Sequence, residues 1–95
     1  MYFRVTPSLV AELAAIWPDP ETGKKGINAT VIVKHTGLSH SAVGNYLKKG
    51  RIPSDKEKDI LRDFFKIVIF TNDPDIDNAA QLKKLEDFFQ GFSYK

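Results

Sequence analysis

The 95-residue sequence contains no cysteine, one methionine and one tryptophan. The absence of cysteine excludes a disulfide framework and a thiolate-bound metal. Apolar runs such as residues 67–70 are far too short to span a bilayer. The first residues, MYFRVTPSL, lack the charged and long apolar regions of a signal peptide. We therefore expect a soluble, cytoplasmic protein of bacterial or phage origin.

Acidic residues are missing from the middle of the chain. Between Gly23 and Pro53 there are six Lys or Arg residues and no Asp or Glu. Residues 1–53 carry seven basic and three acidic side chains, and residues 54–95 carry seven basic and nine acidic ones. This asymmetry predicts a basic face and an acidic back. A surface without carboxylates is suited to approach a polyanion such as DNA.

The length and the 42% apolar content fit one domain, residues 1–95, with a single core. Helical spacing of apolar residues and helix-stop signals predict helices over residues 7–17, 29–35, 40–49 and 78–90. Thr6 is the expected N-cap of the first helix, with Pro7 as its first helical residue. Ser54 and Glu57 form a capping box that begins a further helix. The expected fold is therefore mainly α, with four or five helices.

Residues 66–71, KIVIFT, leave two interpretations open. The preceding helix runs on to Phe70, or the segment is a strand. A strand over residues 67–71 would pair with residues 2–5 in a small two-stranded ribbon, within the chain or across a dimer.

A helix-turn-helix occupies the centre of the chain. Asn28 and Ser39 are suited to cap its two helices, and Gly37 supplies the tight turn between them. Such a unit needs a small apolar cluster beneath the turn. The residues expected to form it are Ile32, Leu38, Val43 and Tyr46, with Val33 at the point where the two helices touch.

This segment resembles the helix-turn-helix of the lambda-repressor and Cro-like (XRE) family. Counted from Ala29, Gly37 is ninth, Val43 fifteenth and Tyr46 eighteenth, as in that family's motif, and GRIPS resembles the run that leads into its fourth helix. The resemblance covers residues 7–66, with the motif at 29–48. Val33 departs from the pattern, because the family usually has alanine there.

The resemblance implies a sequence-specific transcriptional regulator, most simply a repressor associated with the nucleoid, that binds double-stranded DNA as a homodimer on palindromic sites. The predicted base contacts are Ser39, His40, Ser41, Gly44, Asn45 and Lys48. The predicted phosphate contacts are Asn28, Thr30, Lys34, Lys49 and Arg51, and Lys48 is also placed to touch a phosphate. Asn45 is the best candidate for a bidentate contact with adenine.

Residues 67–95 lie outside the motif and are a possible dimerisation or partner segment. One aromatic ring of each Phe-Phe pair, at 64–65 and 88–89, is a candidate for a dimer contact. The alternative functions are a protein-interaction module or antitoxin whose C-terminal segment binds a partner, and a DNA-bending, excisionase-like accessory factor. We expect no enzyme, no cofactor and no metal site, since His35 and His40 have no third ligand nearby in the sequence.

Overall fold

A computed structural model describes residues 1–91 of the chain, and within them it contains five helices and one small sheet. The elements in chain order are β1 (Tyr2–Arg4), α1 (Leu9–Ile16), α2 (Ala29–Thr36), α3 (His40–Lys48), α4 (Asp55–Phe64), β2 (Ile69–Thr71) and α5 (Asn78–Gln90). The prediction of a mainly helical fold is confirmed.

Side-chain caps determine where four of the helices begin. Asn28 accepts a hydrogen bond from the Val31 N–H, Ser39 from the Ala42 N–H and Asp77 from the Ala80 N–H. At α4, the Ser54 hydroxyl accepts from the Glu57 N–H while the Glu57 carboxylate accepts from the Ser54 N–H. Each cap satisfies a backbone donor that the first helical turn leaves without a partner. The capping box predicted at Ser54 is therefore confirmed.

The predicted start of α1 is wrong. Thr6 and Pro7 do not open the helix, because the Leu9 N–H donates to the Thr6 carbonyl and closes a turn at 3.2 Å. The helix begins at Leu9, and Ser8 precedes it. The Ser8 hydroxyl donates to Glu12 at 2.8 Å and does not accept a cap bond from the backbone.

The sheet forms within one chain, and its two strands are parallel. Tyr2 pairs with Ile69, Phe3 with Phe70 and Arg4 with Thr71. Both strands are shorter than predicted, covering residues 2–4 and 69–71. The alternative in which α4 continues to Phe70 is wrong, because Phe65 ends the helix and its carbonyl accepts from the Val68 N–H in a turn.

One apolar core receives side chains from every helix and from β1. Phe3, Leu13, Ile32, Val43, Leu61, Phe65, Val68 and Leu85 are all fully buried in it. The segment after residue 66 thus contributes to the same core as the helix-turn-helix. Phe65 and Phe89 are buried and Phe88 is 44% exposed, whereas Phe64 is partly buried and packs against the core. Residues 92–95 of the predicted partner segment lie outside the described residues.

Asn78 joins the last helix to the first strand. Its Oδ1 accepts from the Arg4 N–H and its Nδ2 donates to the Arg4 carbonyl, both at 2.7 Å. The side chain is largely buried. Its two hydrogen bonds to Arg4 replace those that a third strand would make along the edge of β1 opposite β2. Because buried backbone groups need partners, this pair holds the N-terminus of α5 against the sheet.

Candidate nucleic-acid interface

The turn between α2 and α3 is held by both backbone and side-chain hydrogen bonds. Gly37 has a φ of 75°, in the left-handed region, and its N–H donates to the Val33 carbonyl at 2.9 Å. Thr36 donates its hydroxyl to the Ile32 carbonyl at 2.6 Å and accepts from the Leu38 N–H. These bonds fix the direction in which the chain enters α3.

The apolar cluster predicted beneath the turn is present. Ile32 and Val43 are completely buried and Tyr46 is 1% exposed. Val33 and Leu38 are partly buried and pack against the same core. Because these side chains come from both helices of the motif, the cluster sets their relative position and leaves the opposite side of α3 at the surface.

The exposed side of α3 carries the predicted base-contacting residues. Ser41 and Lys48 are exposed and Asn45 is half-buried, so the three form one polar stripe along the helix. His40 is exposed beside the start of this stripe, and Gly44 is half-buried with no atom within 4 Å of where a Cβ would lie. Ser39 differs from the others, because its hydroxyl oxygen already accepts the capping bond from Ala42. We call Ser41, Gly44, Asn45 and Lys48 the exposed α3 face.

The start of α2, which contains the predicted phosphate contacts Asn28 and Thr30, has one of its first-turn backbone donors already occupied. Thr30 is exposed in the first turn, but the Val31 N–H is occupied by Asn28 at 3.0 Å. The first-turn amides that remain are those of Ala29 and Thr30. An anion bound there would be held by those amides and the positive end of the helix dipole.

Three of the six cations in the acid-free stretch form ion pairs with acids from outside it. Lys34 pairs with Glu21 at 3.2 Å, Arg51 pairs with Glu57 at 2.9 Å, and Lys25 pairs with Glu86 of α5. Lys24, Lys48 and Lys49 have no ion pair among the described residues. Sequence spacing does not indicate this division, since the pairing acids come from three different places: the preceding loop, the first turn of the next helix and the distant α5. The unpaired cations at the end of α3 are Lys48 and Lys49.

Arg51 is held at the junction of α3 and α4. Its guanidinium lies 5.7 Å from the centre of the Tyr46 ring and donates to the Glu57 carboxylate. The buried Tyr46 hydroxyl makes no hydrogen bond of standard geometry with any described residue, but it lies close enough to Glu57 to interact with the carboxylate. This cluster connects α3, through Tyr46, to the capping box of α4.

The cluster shifts the pKa of both acidic groups. Burial raises the pKa of the Tyr46 hydroxyl, and the neighbouring Glu57 carboxylate raises it further. Burial also tends to raise the pKa of Glu57, but the Ser54 backbone, the Tyr46 hydroxyl and Arg51 outweigh it and lower that pKa to about 2. Glu57 is therefore ionised at neutral pH and reduces the net charge that Arg51 presents to a partner.

The two histidines have different surroundings. His35 lies 3.3 Å from the Glu21 carboxylate, whereas His40 stands at the start of α3. Across residues 1–91, no group of three or more His, Asp or Glu side chains is arranged to hold a metal ion.

No protein-family model, curated protein or solved structure matches this chain. The resemblance to the Cro-like family thus depends on the motif residues alone. No helix in the described part of the chain has both the length and the apolar character needed to cross a membrane.

Proposed function

We propose that this protein is a sequence-specific DNA-binding transcriptional regulator, most simply a repressor, that places α3 in the major groove. The observation that carries the proposal is the exposed α3 face, which combines polar side chains with a basic end and contains no carboxylate. The helix is short, has a well-defined N-cap and is fixed at its back by the buried Val43 and Tyr46. A groove-binding helix needs the cap and the buried back, since base contacts require a rigidly placed side chain.

On this proposal Asn45 contacts a base. Its carboxamide can donate to and accept from adenine at once, a pairing worth about 1–3 kcal/mol of discrimination. Ser41 and His40, nearer the N-terminal end of α3, would contact a base or a phosphate. Lys48 and Lys49 would bind phosphates, because they carry charge that no described acid neutralises.

The protein would act as a homodimer in the bacterial cytoplasm and occupy a palindromic operator. Two-fold symmetry in the protein then matches two half-sites about one helical turn apart. The proposed function involves no enzymatic activity and no cofactor.

The test is selection from a randomised double-stranded DNA pool, followed by affinity measurement on the enriched site. We expect a short palindrome, and we expect Asn45→Ala to weaken its binding by roughly tenfold, equivalent to about 1.4 kcal/mol. Gln90→Ala is the matched control, since Gln90 is an exposed carboxamide residue at the end of α5. The control should bind like the wild type.

Two results would count against the proposal. A pool with no enriched sequence would favour a protein-interaction module, and the search would move to partners of residues 67–95. Strong binding without sequence preference, together with a large bend in the DNA, would favour the excisionase-like accessory factor.

A further inference from the structure

Exposed apolar side chains are concentrated around the sheet. Among the described residues, five large hydrophobic side chains are exposed, and three of them are Tyr2 at 56%, Ile67 at 44% and Ile69 at 42%. Tyr2 and Ile69 are register partners, so their side chains lie next to each other on one side of the sheet. Grouped apolar exposure of this kind marks an interaction surface more often than single exposed residues do.

The sheet has one covered side and one uncovered side. Phe3 points into the core and is completely buried, while its neighbours Tyr2 and Arg4 are exposed on the other side. Parallel sheets occur almost always with both sides covered. We call the uncovered side, with Tyr2, Arg4, Ile69, Thr71 and the preceding Ile67, the outer sheet face.

The charges around the outer sheet face point to a second copy of the same chain. Beside Ile69 and Phe70, a cavity of about 250 Å³ is bordered by two acids and two bases of α4, Asp55, Lys58, Asp59 and Arg62. These four groups form two ion pairs, Lys58 with Asp55 and Arg62 with Asp59, so this border has no net charge. A border without net charge gives no attraction for a polyanion, and it does not repel a second copy of itself.

Arg4 adds a second element of complementarity. It has no ion pair among the described residues, and its strand partner Thr71 leads directly into the loop that contains Asp73, Asp75 and Asp77. In a two-fold arrangement the same patch is used twice, so an Arg4 on one copy can meet an acidic loop on the other. The same surface therefore carries both the cation and the acids of the proposed contact.

We propose that the outer sheet face is the surface through which two copies of this chain associate. The strands pack against α4, α5 and each other, whereas α3 packs against α1 and α2. Association through the sheet therefore leaves the exposed α3 face free in both copies. This inference depends on the proposal that the protein acts as a dimer, but no DNA is needed to test it.

The first test measures the mass of the full chain without DNA by analytical ultracentrifugation over a range of concentrations. The wild type should reach twice its 10.7 kDa chain mass. Ile69→Asp should raise the concentration for half-dimerisation at least about tenfold, since it places a charge in the contact. Ile52→Asp is the matched control, because Ile52 is 53% exposed but lies in the segment between α3 and α4. Its mass profile should follow the wild type.

A second test detects the contact directly, by disulfide crosslinking between two copies of the chain. The natural sequence has no cysteine, so Ile69→Cys and Tyr2→Cys each introduce a single thiol. A residue near a two-fold axis lies close to its own counterpart, and mild oxidation should link such variants into disulfide dimers. Ile52→Cys should remain unlinked under the same conditions.

The inference is overturned if the wild type remains monomeric up to about 1 mM, or if Ile52→Cys crosslinks as fast as Ile69→Cys. It is also overturned if folded Ile69→Asp dimerises normally, folding being checked by circular dichroism. Failure of the proposed function gives a different pattern, in which the sheet-dependent dimer forms but the DNA pool yields no enriched site.

Discussion

At the scale of single residues, Asn78 is expected to matter for stability out of proportion to its size. Its carboxamide satisfies both backbone groups of Arg4, so truncation leaves a donor and an acceptor without partners. Asn78→Ala should lower the free energy of unfolding by about 2 to 3 kcal/mol. Asn78→Asp should also destabilise, because a carboxylate can accept from the Arg4 N–H but repels its carbonyl.

Urea unfolding followed by circular dichroism measures both variants. Asn72→Ala, in an exposed loop, is the control and should stay within about 0.5 kcal/mol of the wild type. If Asn78→Ala unfolded at the same urea concentration as Asn72→Ala, the link between α5 and β1 would not contribute to stability.

Glu57 gives the second prediction at this scale, a pH dependence. Its pKa is lowered from 4.5 to about 2 in the folded chain, so folding is favoured by its ionisation above about pH 4.5. This stabilisation is lost as the pH falls from about 4.5 towards 2. Allowing for the partial exposure of the carboxylate, it amounts to about 1 to 3 kcal/mol.

Glu57→Gln isolates this contribution from that of the other acids. The variant should be less stable than the wild type at neutral pH, and the difference in free energy of unfolding should shrink as the solution is acidified. A difference that stays constant between about pH 6 and pH 3 would show that the Glu57 charge has no role in the pH dependence.

At the scale of helices, the exposed α3 face contains a glycine, Gly44, that the stability of the fold does not require. Gly44 lies inside α3, has helical geometry and has no atom within 4 Å of the position that an added methyl would take. Gly44→Ala should therefore stabilise the fold by about 0.5 to 1 kcal/mol. If α3 approaches DNA closely, the same change should weaken binding to the selected site, because the added methyl separates the helix from the bases.

Gly37→Ala is the matched comparison. Gly37 also has no atom near the added methyl, but its φ of 75° is unfavourable for alanine. It should destabilise by about 1 kcal/mol and leave the affinity of the folded protein unchanged. Thermal melts and DNA binding of both variants separate the two effects, and unchanged binding by Gly44→Ala would place Gly44 away from the DNA.

The helices show which features are predictable from sequence and which are not. The α4 capping box, the α3 cap at Ser39 and the bounds of α5 follow from local residue types, and all three are present. The predicted start of α1 is wrong because a backbone turn at Thr6 competes with the helix. The bond between Asn78 and Arg4 joins residues 74 positions apart, which no local pattern indicates.

At the scale of the whole molecule, the fold changes how the charge of the chain is distributed. The stretch from 23 to 53 contains six cations and no acid, but the fold brings Glu21, Glu57 and Glu86 from outside it to three of those cations. Lys48 and Lys49, at the end of α3, have no ion pair among the described residues. The candidate surface is therefore narrower than the sequence indicated and centres on α3.

The most direct measurement of the central claim is the salt dependence of affinity for the selected DNA site. Replacing both Lys48 and Lys49 by alanine should lower the slope of log K against log salt by about 0.9 for each phosphate that is no longer neutralised. Lys34→Ala is the control, and it should change the slope less, because Glu21 already pairs with Lys34. An unchanged slope in the double variant would contradict the account, since α3 would then not lie against the DNA backbone.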